Sequence, residues 1–164
     1  MQKQFLWIFL IGSCALFPAC SRKTPADLPE LVPLTVTVTQ EGQPLQGANV
    51  MLVPTEEADQ KWNALGETNE SGSVALSTHG LYPGVKPGKF KVMLYKVETV
   101  TPKIPDDPAA QEAIERGTMS LPAPQAYDLI DPQFGKPSTP LEIEVSETTS
   151  ELTLDAGKPV KILK

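Results

Sequence analysis

Apolar and polar residues alternate strictly in Leu34-Thr35-Val36-Thr37-Val38-Thr39, which predicts a half-buried strand with one face toward a core and one toward water. Gly42-Gln43-Pro44-Leu45-Gln46-Gly47 breaks the pattern with turn chemistry. Asn49-Val50-Met51-Leu52-Val53 then resumes an apolar run, which Pro54 ends by removing a ladder donor. A looser stretch over 55–64 leads into Leu65-Gly66-Glu67-Thr68, and Asn69-Glu70-Ser71-Gly72 reads as a hairpin turn into Ser73-Val74-Ala75-Leu76-Ser77. After Tyr82-Pro83-Gly84-Val85-Lys86-Pro87-Gly88, the strand Phe90-Lys91-Val92-Met93-Leu94-Tyr95 follows with period two.

Between 97 and 140 this pattern lapses. Asp107 is placed to cap a helix starting at Pro108, which suits a first helical position. Glu112 and Arg116 stand four apart on it, and Gly117 stops it. So short a helix is marginal alone and must dock through Ala110, Ala113 and Ile114. The stretch 121–137 reads as an irregular proline-rich loop. Leu141-Glu142-Ile143-Glu144-Val145 and Leu152-Thr153-Leu154 are closing strands, and Val160-Lys161-Ile162-Leu163 adds a last edge strand. The pattern predicts an all-β fold, an antiparallel β-sandwich of about seven short strands, with one short helix in a long insertion at 97–140.

The order of these pieces resembles the carboxypeptidase regulatory-like domain, a small β-sandwich related in shape to transthyretin. The residues that carry the resemblance are Gly42, Pro44, Leu45, Gly47, Ala48, Gly66, Thr68, Gly72, Pro87, Gly88, Phe90 and Val92. They span about Leu34 to Tyr95, and such motifs specify turns and core positions more than chemistry. The resemblance therefore implies a prealbumin-like or immunoglobulin-like sandwich and no particular activity. Along its whole length the chain also looks similar to small lipoproteins of planctomycete-like bacteria, matched here by Tyr127 and Thr139-Pro140-Leu141.

The N-terminus changes the picture from a bare domain to an exported one. Lys3 is followed by an apolar stretch, Phe5 to Phe17, long enough for a signal peptide and too short to span a bilayer. Ala19-Cys20 resembles a bacterial lipobox, with Cys20 the lipidated first mature residue. Ile11-Gly12-Ser13-Cys14 is the alternative, with a shorter apolar core before it. The expected organisation is a signal peptide over 1–19, a lipidated N-terminus and proline-rich tether over 20–33, and the sandwich over 34–164. Pro25, Pro29 and Pro33 make the tether an extended, semi-rigid spacer. The location is then the bacterial cell envelope, with the domain lipid-anchored and facing the periplasm or the cell surface.

Removing the signal leaves about 145 residues, enough to bury a core without staples. Cys14 and Cys20 are the only cysteines, so acylated Cys20 leaves no thiol for a disulfide, a metal or nucleophilic chemistry. The net charge of −6 repels phosphate backbones, which speaks against nucleic acid as a partner. Seventeen prolines and eleven glycines favour short strands and structured loops over a helical bundle.

Candidate chemistry is sparse. His79 is the single histidine, so no second imidazole is available for a zinc site, and no hydroxyl stands in a nucleophile elbow. The terminal motifs of the hydroxyisourate hydrolases, which share the transthyretin shape, are missing. Asp106, Asp107, Asp128 and Asp131 lack calcium-loop spacing, and the first strand holds no lysine for an isopeptide crosslink. Neither a catalytic residue, a metal ligand nor a cofactor is expected. The remaining binding candidates are Trp62, Tyr82, Tyr127 and Phe134, aromatics in predicted loops that either stack on a glycan or protein or cover the ends of the sandwich. The expectation is a non-catalytic lipoprotein that binds or positions a glycan or protein in the envelope. Its alternative is an accessory subunit pairing through an edge strand, such as those ending at Val145 or Leu163, with a hydrolase a distant third.

Overall fold

Val36, Val38 and Leu154 from one sheet meet Val50, Leu52, Phe90, Val92 and Leu94 from another, and their contact is the core of an all-β sandwich. The structure is a computed structural model describing residues 24–103, 106–121 and 123–164, so Cys14 and Cys20 lie outside the described residues. The first sheet is centred on β1 (Thr35–Gln40), flanked by β12 (Glu151–Asp155) on one side and by β2 (Gln43–Pro44) and β5 (Ser73–Ala75) on the other. The second has six strands, ordered β11 (Glu142–Val145), β8 (Gly88–Tyr95), β3 (Asn49–Pro54), β4 (Ala64–Glu67), β6 (Ser77–Thr78) and β7 (Tyr82–Pro83).

Alternation produces this core directly. β1 and β8 bury every second side chain, so the apolar members of each pattern fall on the faces that meet. One pairing departs from the antiparallel expectation: β12 runs parallel to β1, with Thr35 opposite Glu151 and Thr39 opposite Asp155. A strand arriving from β11 must cross to the other sheet, and this crossing sets it beside β1 in the same direction.

The insertion and the C-terminus together form a third sheet. β9 (Val97–Val100), β10 (Gln125–Asp128) and β13 (Ile162–Leu163) pair antiparallel in the order β13-β10-β9. The proline-rich stretch expected to be irregular over 121–137 thus contains a strand, because β9 supplies a partner that local sequence does not reveal. Ile130, 2% exposed, roots this sheet in the core. The helix α1 (Pro108–Glu115) lies in the excursion between β9 and β10, and the Asp107 carboxylate accepts from the amides of Ala109 and Ala110 as its N-cap. Ala110, Ala113 and Ile114 are only half-buried, so its docking is shallow.

The two ends of the sandwich differ. Pro54 and Ala64 share one end with Phe90, and Asn49 and Glu67 share the other with Tyr95, from which β9 continues. At the first end, the segment before β1, expected as an extended, semi-rigid spacer, is docked on the domain. Val32 exchanges backbone hydrogen bonds with Val85 at 2.9 Å each way, and Lys61 donates to Asp27 at 2.5 Å. That hydrogen bond lowers the Asp27 pKa below the ordinary 3.8. Both side chains are more than half exposed, so the pair orients the segment more than it stabilises the fold. A depressed carboxylate pKa means the contribution is full above 3.8 and is lost as pH falls through the lower folded value. Carboxyl NMR titration should therefore place the Asp27 midpoint below 3.8 and return it to about 3.8 in Lys61→Ala. Identical midpoints in the two proteins would refute the pairing.

Candidate functional site

The four aromatic candidates do not converge. Trp62 ends a 3-10 turn (Glu57–Trp62) between β3 and β4 and is only 6% exposed. Its ring meets His79 edge-on with centroids 5.5 Å apart, and the Lys61 ammonium lies 4.8 Å from its centroid. Tyr82 is half-buried on β7, at the edge of the six-stranded sheet. Phe134 packs against the core, its carbonyl accepting from the Leu94 amide at 2.9 Å. Only Tyr127 stands on the small third sheet, half-buried at the centre of β10.

For Trp62 the structure favours the covering role over ligand stacking. Its polar neighbours suggested a loop, but the 3-10 turn rolls the ring inward over the end of the sandwich. Trp62→Ala is expected to destabilise the domain by about 2 kcal/mol, the value of burying one such side chain. Thermal unfolding checks this, and an unchanged melting temperature would return the ring to the surface.

The apolar surface lies elsewhere. Eight large hydrophobic side chains stand out as exposed among the described residues, and only Leu81 lies outside the span from Tyr95 to Leu163. They include Val97 and Val100 on β9, Met119 and Leu121 in the excursion, and Ile162 and Leu163 on β13, with Leu163 61% exposed. Register sets Glu98, Tyr127 and Leu163 side by side on one face of the small sheet, and Val97, Asp128 and Ile162 on the other. Both faces therefore carry uncovered apolar groups.

Charge on this sheet is internally matched. Lys161 reaches Glu98 at 2.7 Å and lies 4.8 Å from the Tyr127 centroid, while Lys164 stands 3.5 Å from Asp128. The hydrogen bond to Glu98 holds the Lys161 ammonium above the ordinary 10.5. The Tyr127 hydroxyl donates to Gln125 Oε1 at 2.6 Å. Tyr127 and the strand at Leu163 are visible in the sequence, but the apolar pair on β9 is not. A four-residue run is too short to signal a strand without knowledge of its partner.

Other features offer little chemistry. A concavity of about 520 Å³ over β8 and β11 sets Lys89 and Lys91 beside Glu142 and Glu144, with the Thr55 hydroxyl already donating to the Lys89 carbonyl. His79 is exposed in a turn at φ 55°, against Trp62. Asp106, Asp107, Asp128 and Asp131 do not gather, and among the described residues no group of three or more His, Cys, Asp or Glu is placed to hold a metal ion. In comparisons with protein-family models, curated proteins and solved structures, the chain finds no match.

Proposed function

We propose that the chain is a non-catalytic lipoprotein of the bacterial cell envelope, anchored through Cys20, whose carboxypeptidase-regulatory-like sandwich presents an apolar binding surface at the end away from its tether. One observation carries the reading. The segment that follows the anchor docks at the end marked by Lys61 and Val85, whereas β9 leads on from Tyr95 at the opposite end and its small sheet carries exposed Val97, Val100, Ile162 and Leu163. A rigid β frame separating an anchor from a sticky surface suits a protein that holds something at a set distance from a membrane.

Uncovered Val, Ile, Leu and Met side chains fit a protein partner better than a glycan, for which stacked aromatic rings are the usual platform. Tyr127 is the single aromatic on β9, β10 and β13, and Lys161 lies over it. A photo-crosslinking residue at Leu121, in membranes from cells making the full chain, tests the reading. An adduct from Leu121 and none from Glu144 is expected. Equal labelling at both sites, or none, would overturn it. Intact mass of the same material, with Cys20→Ala alongside, reports the anchor separately.

A further inference from the structure

Three features meet at the end of the sandwich where the segment before β1 docks. The first is the segment itself. Pro25, Leu28, Leu31 and Val32 are half-buried, the Leu28 amide donates to the Pro25 carbonyl at 3.2 Å, and Lys61 holds Asp27. Pro25 stands five residues after Cys20, and an extended chain advances about 3.3–3.6 Å per residue. An acyl anchor on Cys20 therefore keeps Pro25 within roughly 18 Å of the lipid surface.

The second is the reversal between β6 and β7. His79 at φ 55° and Gly80 at φ 67° turn the chain, and the Leu81 amide closes the turn on the Thr78 carbonyl at 3.1 Å. The turn is fixed to the same end. The His79 amide donates to the Asn63 carbonyl at 3.0 Å, and the His79 ring meets Trp62, the neighbour of Lys61. Leu81 leaves this turn 52% exposed. Among the described residues it is the one exposed large hydrophobic side chain outside the span from Tyr95 to Leu163.

The third is the character of the loops around it. The segments 55–63, 84–88 and 146–150 reach the same end, since Gly88 pairs with Val145 there and the Thr35 amide donates to the Ser150 carbonyl. None of them carries an exposed large hydrophobic side chain. Lys61 is matched by Asp27 and Lys86 by Asp59, while Glu56 and Glu57 add negative charge. Charge therefore does not draw this end to anionic lipid, and any approach to a bilayer rests on Leu81.

We propose that this end of the domain is seated on the lipid surface, with Leu81 entering the boundary between headgroups and acyl chains. The inference rests on the Cys20 anchor proposed above. One leucine would not hold a protein on a membrane by itself. The anchor keeps lipid at high effective concentration beside it, so a single apolar contact suffices to set the orientation. The occupant is lipid because a gap of roughly 18 Å beneath Pro25 does not admit a folded partner, even a small domain being about 30 Å across. Seating this end turns the third sheet, with its exposed Val97, Val100, Ile162 and Leu163, away from the bilayer.

The test uses the full chain, made in cells and reconstituted into phosphatidylcholine vesicles that contain a headgroup spin-labelled lipid, a short-range quencher of tryptophan. Leu81→Trp is compared with Leu163→Trp. Both positions are exposed, Trp62 gives both chains the same background, and circular dichroism checks that both keep the fold. Flotation with the vesicles reports the anchor separately. Floating chains are expected to lose more emission in Leu81→Trp than in Leu163→Trp. Equal loss at the two positions, greater loss at Leu163→Trp, or no loss at either would overturn the seat and leave the anchor standing. Chains that do not float would overturn both.

Discussion

Gly72→Ala is expected to cost about 3 kcal/mol and to lower the melting temperature by roughly 10 °C. Gly72 sits in the turn between β4 and β5 at φ 72°, where an L side chain costs about 1–2 kcal/mol by itself. Space adds a second penalty. A Cβ there would lie 2.7 Å from the Val38 carbonyl oxygen and 2.9 Å from the Leu45 amide nitrogen. Both are backbone atoms of the neighbouring β1–β2 hairpin, so no side chain can swing aside. Gly42 is the matched control: its φ is 77°, yet a Cβ would meet nothing within 4 Å. Gly42→Ala should show the conformational cost alone, about 1–2 kcal/mol. Equal losses in the two variants would show that the close approach at Gly72 is not rigid.

Thr68→Val is expected to be comparably damaging, at about 3 kcal/mol, although it changes almost no volume. The Thr68 side chain is buried, and its hydroxyl serves two backbone groups. It donates to the Leu45 carbonyl at 2.5 Å and accepts from the Ala48 amide at 2.9 Å. Valine would leave a buried C=O and a buried N–H without partners, each costing about 1–3 kcal/mol. Thr68→Ser keeps the hydroxyl and should recover most of the loss in the same thermal melt. If serine were no better than valine, packing of the methyl rather than hydrogen bonding would be the cause.

Together these positions explain the motif residues that were visible in the sequence. Leu45, Gly47, Ala48, Thr68 and Gly72 are one interlock. The Gly47 amide donates to the Thr68 carbonyl, the Thr68 amide to the Ala48 carbonyl, and the Val38 amide to the Gly72 carbonyl. Such a clasp needs particular residue types at fixed places, so it leaves a mark in the sequence. The long strands were legible for a related reason: alternation on β1 and β8 is the pattern of burial itself.

What escaped the sequence depends on partners far along the chain. β10 reads Gln-Ala-Tyr-Asp and has no strand signal of its own; it is a strand because β9 lies beside it. Neither the docking of Val32 on Val85 nor the parallel arrival of β12 is encoded locally. Trp62 looked exposed because its neighbours are polar, and only the 3-10 turn reveals where the ring goes. Of the candidate surface, Tyr127 and the strand at Leu163 are legible in the chain, but the apolar residues that adjoin them are not.

The pairing of β1 with β12 also bears on when the protein can fold. Thr35 meets Glu151, so the central strand of the first sheet lacks one flank until almost the whole chain has emerged. Closing so long a loop costs entropy before any contact repays it, and such non-local sheets form slowly. A chain emerging from its N-terminus keeps an incomplete first sheet until β12 follows. That delay makes the C-terminal strand β12 the piece that completes the first sheet.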